Sequence, residues 1–237
     1  MALATVTMLA SNWPILQRRG AISAGHRGGQ HFQHPAVGVL EIGAVRVGDH
    51  VVAWFVQGVR SGLGLGSAGL GVPDTFALPI IAVLHLPDER RSQLAEVFAR
   101  RLPIPVREGQ DKEVIQAGTL YFAGPGYHLS VEHDRSLSLS QEERLHHSRP
   151  AIDYLFESAA DAYGNSLAAV LLTGANQDGA WGLAQIKRQG GLTIVQDPRE
   201  AQVATMPEAA LALQQPDYIL PLRGISRLLA ELERTSC

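Results

Sequence analysis

Cysteine is almost absent from this 237-residue chain: it occurs once, as the last residue, Cys237. That excludes a disulfide framework and a cysteine-rich zinc site, and it makes a reducing compartment the simplest home. Runs of like charge are missing too, with 20 Lys+Arg set against 23 Asp+Glu for a formal net charge of -3. So even a balance argues against a nucleic-acid partner, which needs a broad cationic footprint. No apolar run reaches the roughly 18 residues of a bilayer-spanning helix, because Gly, Pro, His or a charge breaks every candidate. The apolar stretch 2–10 has no positive residue before it, as a secretory signal would require. Membrane insertion is therefore not expected, and a cytoplasmic location is. With 46% hydrophobic and 18% charged residues, the composition is that of a folded globular protein, which excludes disordered and coiled-coil classes.

Acids are scarce in one part of the chain only. Residues 1–72 hold two, Glu41 and Asp49, with no lysine and 13 of the 24 glycines, and the composition turns ordinary near Pro73. We divide the chain into a poorly defined N-terminal segment, 1–45, and a domain over 46–237. Downstream, apolar runs alternate with helical patterns. Strands are expected at 78–84, 104–107, 119–123 and 127–132, with an amphipathic helix over 88–102 and a polar loop over 134–149. Ile152, Leu155, Phe156 and Ala159 recur at helical spacing behind Pro150, so 151–162 reads as a helix. The run 167–172 is apolar on both faces, as a parallel strand covered by helices must be. Then come a loop, 173–179, a helix over 180–189 stopped by Gly190-Gly191, strands at 192–195 and 218–220, and helices at 206–213 and 225–232. That alternation predicts a single doubly wound α/β fold, Rossmann-like, with a mostly parallel sheet and helices on both faces.

In such a sheet ligands bind beyond the carboxyl ends of the strands. His85 directly follows one strand and Asp178 lies in the loop after another. Together they suit the base and the orienting acid of a nucleophilic triad. The blander reading, a satisfied core histidine and an N-cap for the helix beginning near Ala180, is the one that spacing alone favours. The formal G-x-G-x-x-G at 64–69, with Asp88 and Glu89 downstream, suggests a dinucleotide fingerprint. Gly71 and Pro73 leave no room for the helix that fingerprint must open, so no cofactor is expected. His26, His31 and His34 lack carboxylate or thiolate companions, and no metal is expected there. His146-His147 reads as a solvated loop pair, Trp13, Trp54 and Trp181 as packing residues, and Arg188 as a helix-end cation.

The ordered series Leu171-Leu172-Thr173-Gly174-Ala175-Asn176-Gln177-Asp178-Gly179-Ala180, Gly190-Gly191-Leu192-Thr193-Ile194-Val195-Gln196-Asp197, Met206-Pro207 and Ile219-Leu220-Pro221-Leu222 resembles the catalytic domain of CheB-type chemotaxis methylesterases. Upstream, Leu84-His85-Leu86-Pro87, Gly118-Thr119-Leu120-Tyr121-Phe122-Ala123-Gly124-Pro125-Gly126-Tyr127-His128-Leu129 and Ser148-Arg149-Pro150 extend the likeness to about residues 73–234. The resemblance implies hydrolysis of glutamate methyl esters on the cytoplasmic domain of methylated chemoreceptors, and deamidation of receptor glutamines. It implies a Ser-His-Asp triad in which His85 is the histidine and Asp178 the aspartate, with a backbone N–H at Ala175 in the oxyanion loop.

The family's serine lies in a Gly-(Ala/Ser)-Ser-x-Gly-Gly loop after the first strand, and this chain has no such segment. A helix of ~12 residues, a loop of ~5 and a strand of ~6 place the nucleophile ~23 residues before the histidine. Ser61, 24 residues before His85 and downstream of the apolar run 51–56, is the candidate; Ser67, 18 residues away, leaves too little chain. Glycines at 62, 64, 66, 69 and 71 oppose a helix after Ser61. The likeness breaks off near Pro73, which suggests that residues upstream are read from a shifted frame relative to an ancestral methylesterase. Residues 1–72, with one aspartate and no lysine, do not carry the acidic pocket of a phospho-receiver domain.

Overall fold

The computed structural model describes residues 78–85, 92–100, 102–225 and 227–228, and the backbone of 3–9. Seven strands make the main sheet: β1 (Leu3–Leu9), β2 (Ile80–His85), β3 (Val106–Glu108), β4 (Leu120–Phe122), β7 (Leu167–Leu171), β8 (Leu192–Gln196) and β9 (Tyr218–Leu220), in the order β3-β4-β2-β1-β7-β8-β9. A separate hairpin pairs β5 (His128–Val131) with β6 (Leu137–Ser140). Four helices, α1 (Leu94–Ala99), α2 (Ile152–Tyr163), α3 (Ala180–Arg188) and α4 (Thr205–Leu213), pack on the main sheet, giving the doubly wound, Rossmann-like α/β fold.

All five residues of β7 are buried, as are Ile80 to Leu84 of β2, which only a sheet covered on both faces allows. Within the main sheet every pairing outside β1 is parallel, so that sheet is mostly parallel. The core runs through Ile81, Val83, Tyr121, Phe122, Leu155, Phe156, Val170, Leu183 and Ile194. Phe98 of α1 meets Phe122 edge to face, with ring centroids 5.1 Å apart, which clamps that helix to β4.

Two elements depart from the sequence-based expectation. The polar loop 134–149 contains β6, whose Leu137 is buried against the hairpin's inner face. Asp134 starts that strand by accepting hydrogen bonds from the Ser136 N–H at 2.9 Å and the Ser136 hydroxyl at 2.6 Å. The second departure concerns the strand at the centre of the sheet. Leu3–Leu9 fills the position between β2 and β7 and runs antiparallel to both, with Leu3 opposite His85 and Leu9 opposite Leu167. The run 51–56, expected to supply a strand before the serine loop, lies outside the described residues, as do Ser61, Ser67, the glycine-rich 64–69 and Asp88-Glu89.

Candidate active site

β2 and β7 point the same way on either side of β1, so their carboxyl ends open on one edge at the place where the chain order turns outward in both directions. His85 closes β2, and Asp178 lies in the loop that follows β7. Thr173 ties that loop down, since its N–H donates to Gln196 Oε1 at 2.8 Å and its hydroxyl donates to the Val203 carbonyl at 3.0 Å. Asn176 Oδ1 accepts the Asp178 N–H at 3.1 Å, a local turn that aims the carboxylate inward. Gly179 then adopts φ +87°, and a Cβ there would lie 2.5 Å from Ile152 Cγ2, so glycine is required on both counts.

His85 Nε2 lies 2.6 Å from Asp178 Oδ2. Asp178 is fully buried, whereas the His85 side chain keeps 11% exposure, so the pair is a shielded acid behind an accessible ring. A carboxylate only accepts hydrogen bonds, so Nε2 carries the proton and the lone pair of neutral His85 resides on Nδ1. Asp178 has two further donors. The N–H of Ile152 reaches Oδ2 at 2.7 Å and the N–H of Asp153 reaches Oδ1 at 3.0 Å. The aspartate thus caps a helix, but it is α2 from across the fold rather than the helix beginning at Ala180. Negative charge there is favoured by the α2 dipole as well as by the two bonds.

The carboxylate of Asp153 returns the favour, accepting the N–H of Gly182 in the first turn of α3 at 2.7 Å. Burial pushes the Asp153 carboxyl up to about 6, with the nearby Asp178 charge adding to the shift. His146 Nε2 lies 3.3 Å from Asp153 Oδ2, so His146 is a half-buried site neighbour and not part of a solvated pair. Its carbonyl accepts a bond from Asn176 Nδ2 at 3.3 Å, and the loop behind it is held by Arg149 Nη1, which donates to the carbonyls of Gln141 and Glu142. The next orphan donor of α2, the Ala151 N–H, goes to Nδ1 of fully buried His128 at 3.2 Å, and His128 Nε2 donates to the Glu143 carbonyl at 3.1 Å. That pattern fixes a neutral ring, and burial lowers the His128 pKa. Trp181, expected to be a packing residue, is 50% exposed beneath the Arg188 guanidinium.

Sequence reasoning therefore found His85 and Asp178, which the structure brings together, and missed Asp153, His128 and His146. His128 lies within the motif stretch 118–129 and Asp153 shortly after Ser148-Arg149-Pro150; what was invisible is that two helix starts would meet there. Ligand atoms of His146, Asp153 and Asp178 lie within 4.8 Å of one another. Both carboxylates already accept backbone N–H bonds from helix starts. The chemistry this arrangement suits is proton transfer by an oriented imidazole.

Over residues 69–229 the chain matches the family model described as CheB methylesterase. A Leptospira interrogans protein with the provisional name protein-glutamate methylesterase/protein-glutamine glutaminase is 41% identical over 165 residues, which is 70% of this chain and 86% of that protein. Protein-glutamate methylesterase/protein-glutamine glutaminase 2 of Methanospirillum hungatei is 36% identical over 84% of this chain and 53% of its own length, so the chain spans about half of that relative. The crystal structure of the Thermotoga maritima CheB methylesterase catalytic domain superimposes with a TM-score of 0.64 at 30% identity, covering 68% of this chain and 87% of that one.

Proposed function

Because the chain belongs to the CheB methylesterase family, we propose that it is a cytoplasmic protein-glutamate methylesterase acting on the cytoplasmic domain of methylated chemoreceptors, and a glutaminase on receptor glutamines, by a serine-hydrolase route. The observation that carries this reading is the 2.6 Å bond between His85 and buried Asp178 at the carboxyl edge of the sheet. His85 takes the serine proton at Nδ1 while the serine oxygen bonds to the ester carbonyl carbon. Asp178 holds the tautomer and stabilises the imidazolium. The proton then passes to the departing methoxide, methanol leaves, and water hydrolyses the acyl-enzyme to free serine and glutamate. We assign the nucleophile to Ser61 and an oxyanion donor to the Ala175 N–H, and the methylesterase domain to residues 46–237 together with the central strand Leu3–Leu9, which the N-terminal segment supplies. No metal or cofactor takes part in these steps.

A second reading is favoured by the lack of a Gly-(Ala/Ser)-Ser-x-Gly-Gly segment anywhere in the chain. On that reading the chain is a catalytically silent homologue that binds a receptor or signalling partner. Methanol release from methylated receptor separates the two. The esterase reading expects turnover in the unaltered protein, loss in Ser61→Ala and retention in Ser67→Ala; absence of methanol from the folded, unaltered protein supports the silent homologue.

A further inference from the structure

We propose that Asp153 is a positioning residue of this site: as a second buried carboxylate behind Asp178, it locks the starts of α2 and α3 together and favours the imidazolium form of His85 during proton transfer. The inference rests on the catalytic reading of the His85–Asp178 pair. Three contacts carry it. Asp178 accepts the N–H of Ile152 and Asp153 on α2, and Asp153 accepts the N–H of Gly182 on α3, so each acid sits at the start of a helix and the two acids are adjacent. The interlock is close. A Cβ at Gly182 would lie 2.5 Å from Phe156 Cβ and 3.2 Å from Asp153 Oδ1, so any residue but glycine would force the helices apart at that point.

Such proximity has an electrostatic consequence. Among the described residues, the titratable groups facing Asp153 are Asp178 from the loop after β7, His146 from the loop after β6 and Glu157 on α2 itself. His85 stands beyond Asp178, at 2.6 Å from it. Two adjacent buried carboxylates repel, and a positive charge arriving on His85 relieves that repulsion. The Asp153 and Asp178 ligand atoms lie within 4.8 Å of one another and His85 Nε2 is 2.6 Å from Asp178, so a separation on the order of 8 Å corresponds to about 0.4 pH units at an effective dielectric of about 80, and about 1.5 at about 20. A merely structural Asp153 would hold the helices equally well as an amide, since Asn Oδ1 also accepts the Gly182 N–H.

The test is an NMR titration of the histidine ring signals of the full chain, with His85 assigned from the signal lost in His85→Gln. In Asp153→Asn the His85 midpoint should fall by about 0.4 to about 1.5 pH units relative to the unaltered protein. An unchanged midpoint in a folded Asp153→Asn overturns the proposal. A second measurement needs no variant: in the unaltered protein the His85 ring signals should show an added inflection at the pH where the Asp153 carboxyl carbon titrates, and a single inflection there overturns it. Neither readout involves turnover, so a protein that releases no methanol but shows the coupling rejects the esterase reading and leaves the coupled pair standing.

Discussion

Removing the Asp178 carboxylate should cost far more stability than removing the ring it orients. In Asp178→Ala, the N–H groups of Ile152 and Asp153 lose their acceptor inside a fully buried helix start. Hydrogen bonds to a charged group contribute about 1.5–3 kcal/mol each, and the vacated donors have no water to turn to. One effect opposes this. Asp153 no longer faces a like charge, but desolvation is the larger cause of its shift, so the relief is on the order of 1 kcal/mol. The net expectation is a loss of about 2–5 kcal/mol. For a chain of this size that is a Tm lowered by roughly 5–15 °C. His85→Ala removes one bond from a partly exposed ring and should cost about 1 kcal/mol. Reversible denaturation followed by circular dichroism near pH 7.5 measures both. Equal losses in the two variants, or an Asp178→Ala protein as stable as the parent, would refute the cross-capping account.

Other expectations follow from the same contacts. Gly182→Ala should destabilise by about 1–3 kcal/mol through overpacking against Phe156, read as a shift in the denaturation midpoint without a change in slope. The two perturbed groups act on stability with opposite signs. The Asp153 contribution is fully present below its unfolded value of 3.8 and is lost as pH rises through about 6, so Asp153→Asn should gain on the parent between about pH 4 and about pH 7. His128, lowered by burial, contributes stability that is present above 6.5 and is lost as pH falls through its folded value, so His128→Gln should flatten that acid-side loss. Sequencing the coding DNA tests the shifted frame: an alternative frame upstream of the Pro73 codon should encode a strand, a Gly-Ser-x-Gly-like loop and an amphipathic helix. If neither frame does, the idea fails.

Much of this architecture was legible because periodicity reports burial. The doubly apolar run at β7 and the helical spacing of Ile152, Leu155 and Phe156 each announced a covered element, and all of these side chains are buried. The hairpin strand β6 was missed although Ser136-Leu137-Ser138-Leu139-Ser140 alternates with period two, because the surrounding charges made the whole segment look like a loop. The direction of β1 was not legible, although the mostly parallel course of the other strands in the main sheet was. Periodicity is the same for a strand read either way, so nothing in residues 3–9 announces an antiparallel strand at the centre of a parallel sheet.

The site divided along similar lines. His85 and Asp178 stood out because residues just past strand ends face the ligand edge, and the motifs shared with CheB-type methylesterases assigned their roles. That Asp178 caps α2 instead of α3 depends on where two helix starts meet in space, which no local pattern encodes. The same holds for Asp153, which locally looks like an ordinary first-turn acid but finds the first turn of a neighbouring helix.

The central claim is that the His85–Asp178 pair activates a serine. Labelling the folded full chain with a fluorophosphonate, which captures only a serine whose proton has been removed by a neighbouring base, followed by peptide mapping, tests it most directly. The account predicts a single modified serine at Ser61, with labelling abolished in His85→Gln. A folded protein in which no serine is labelled, or in which labelling is indifferent to His85, would contradict it.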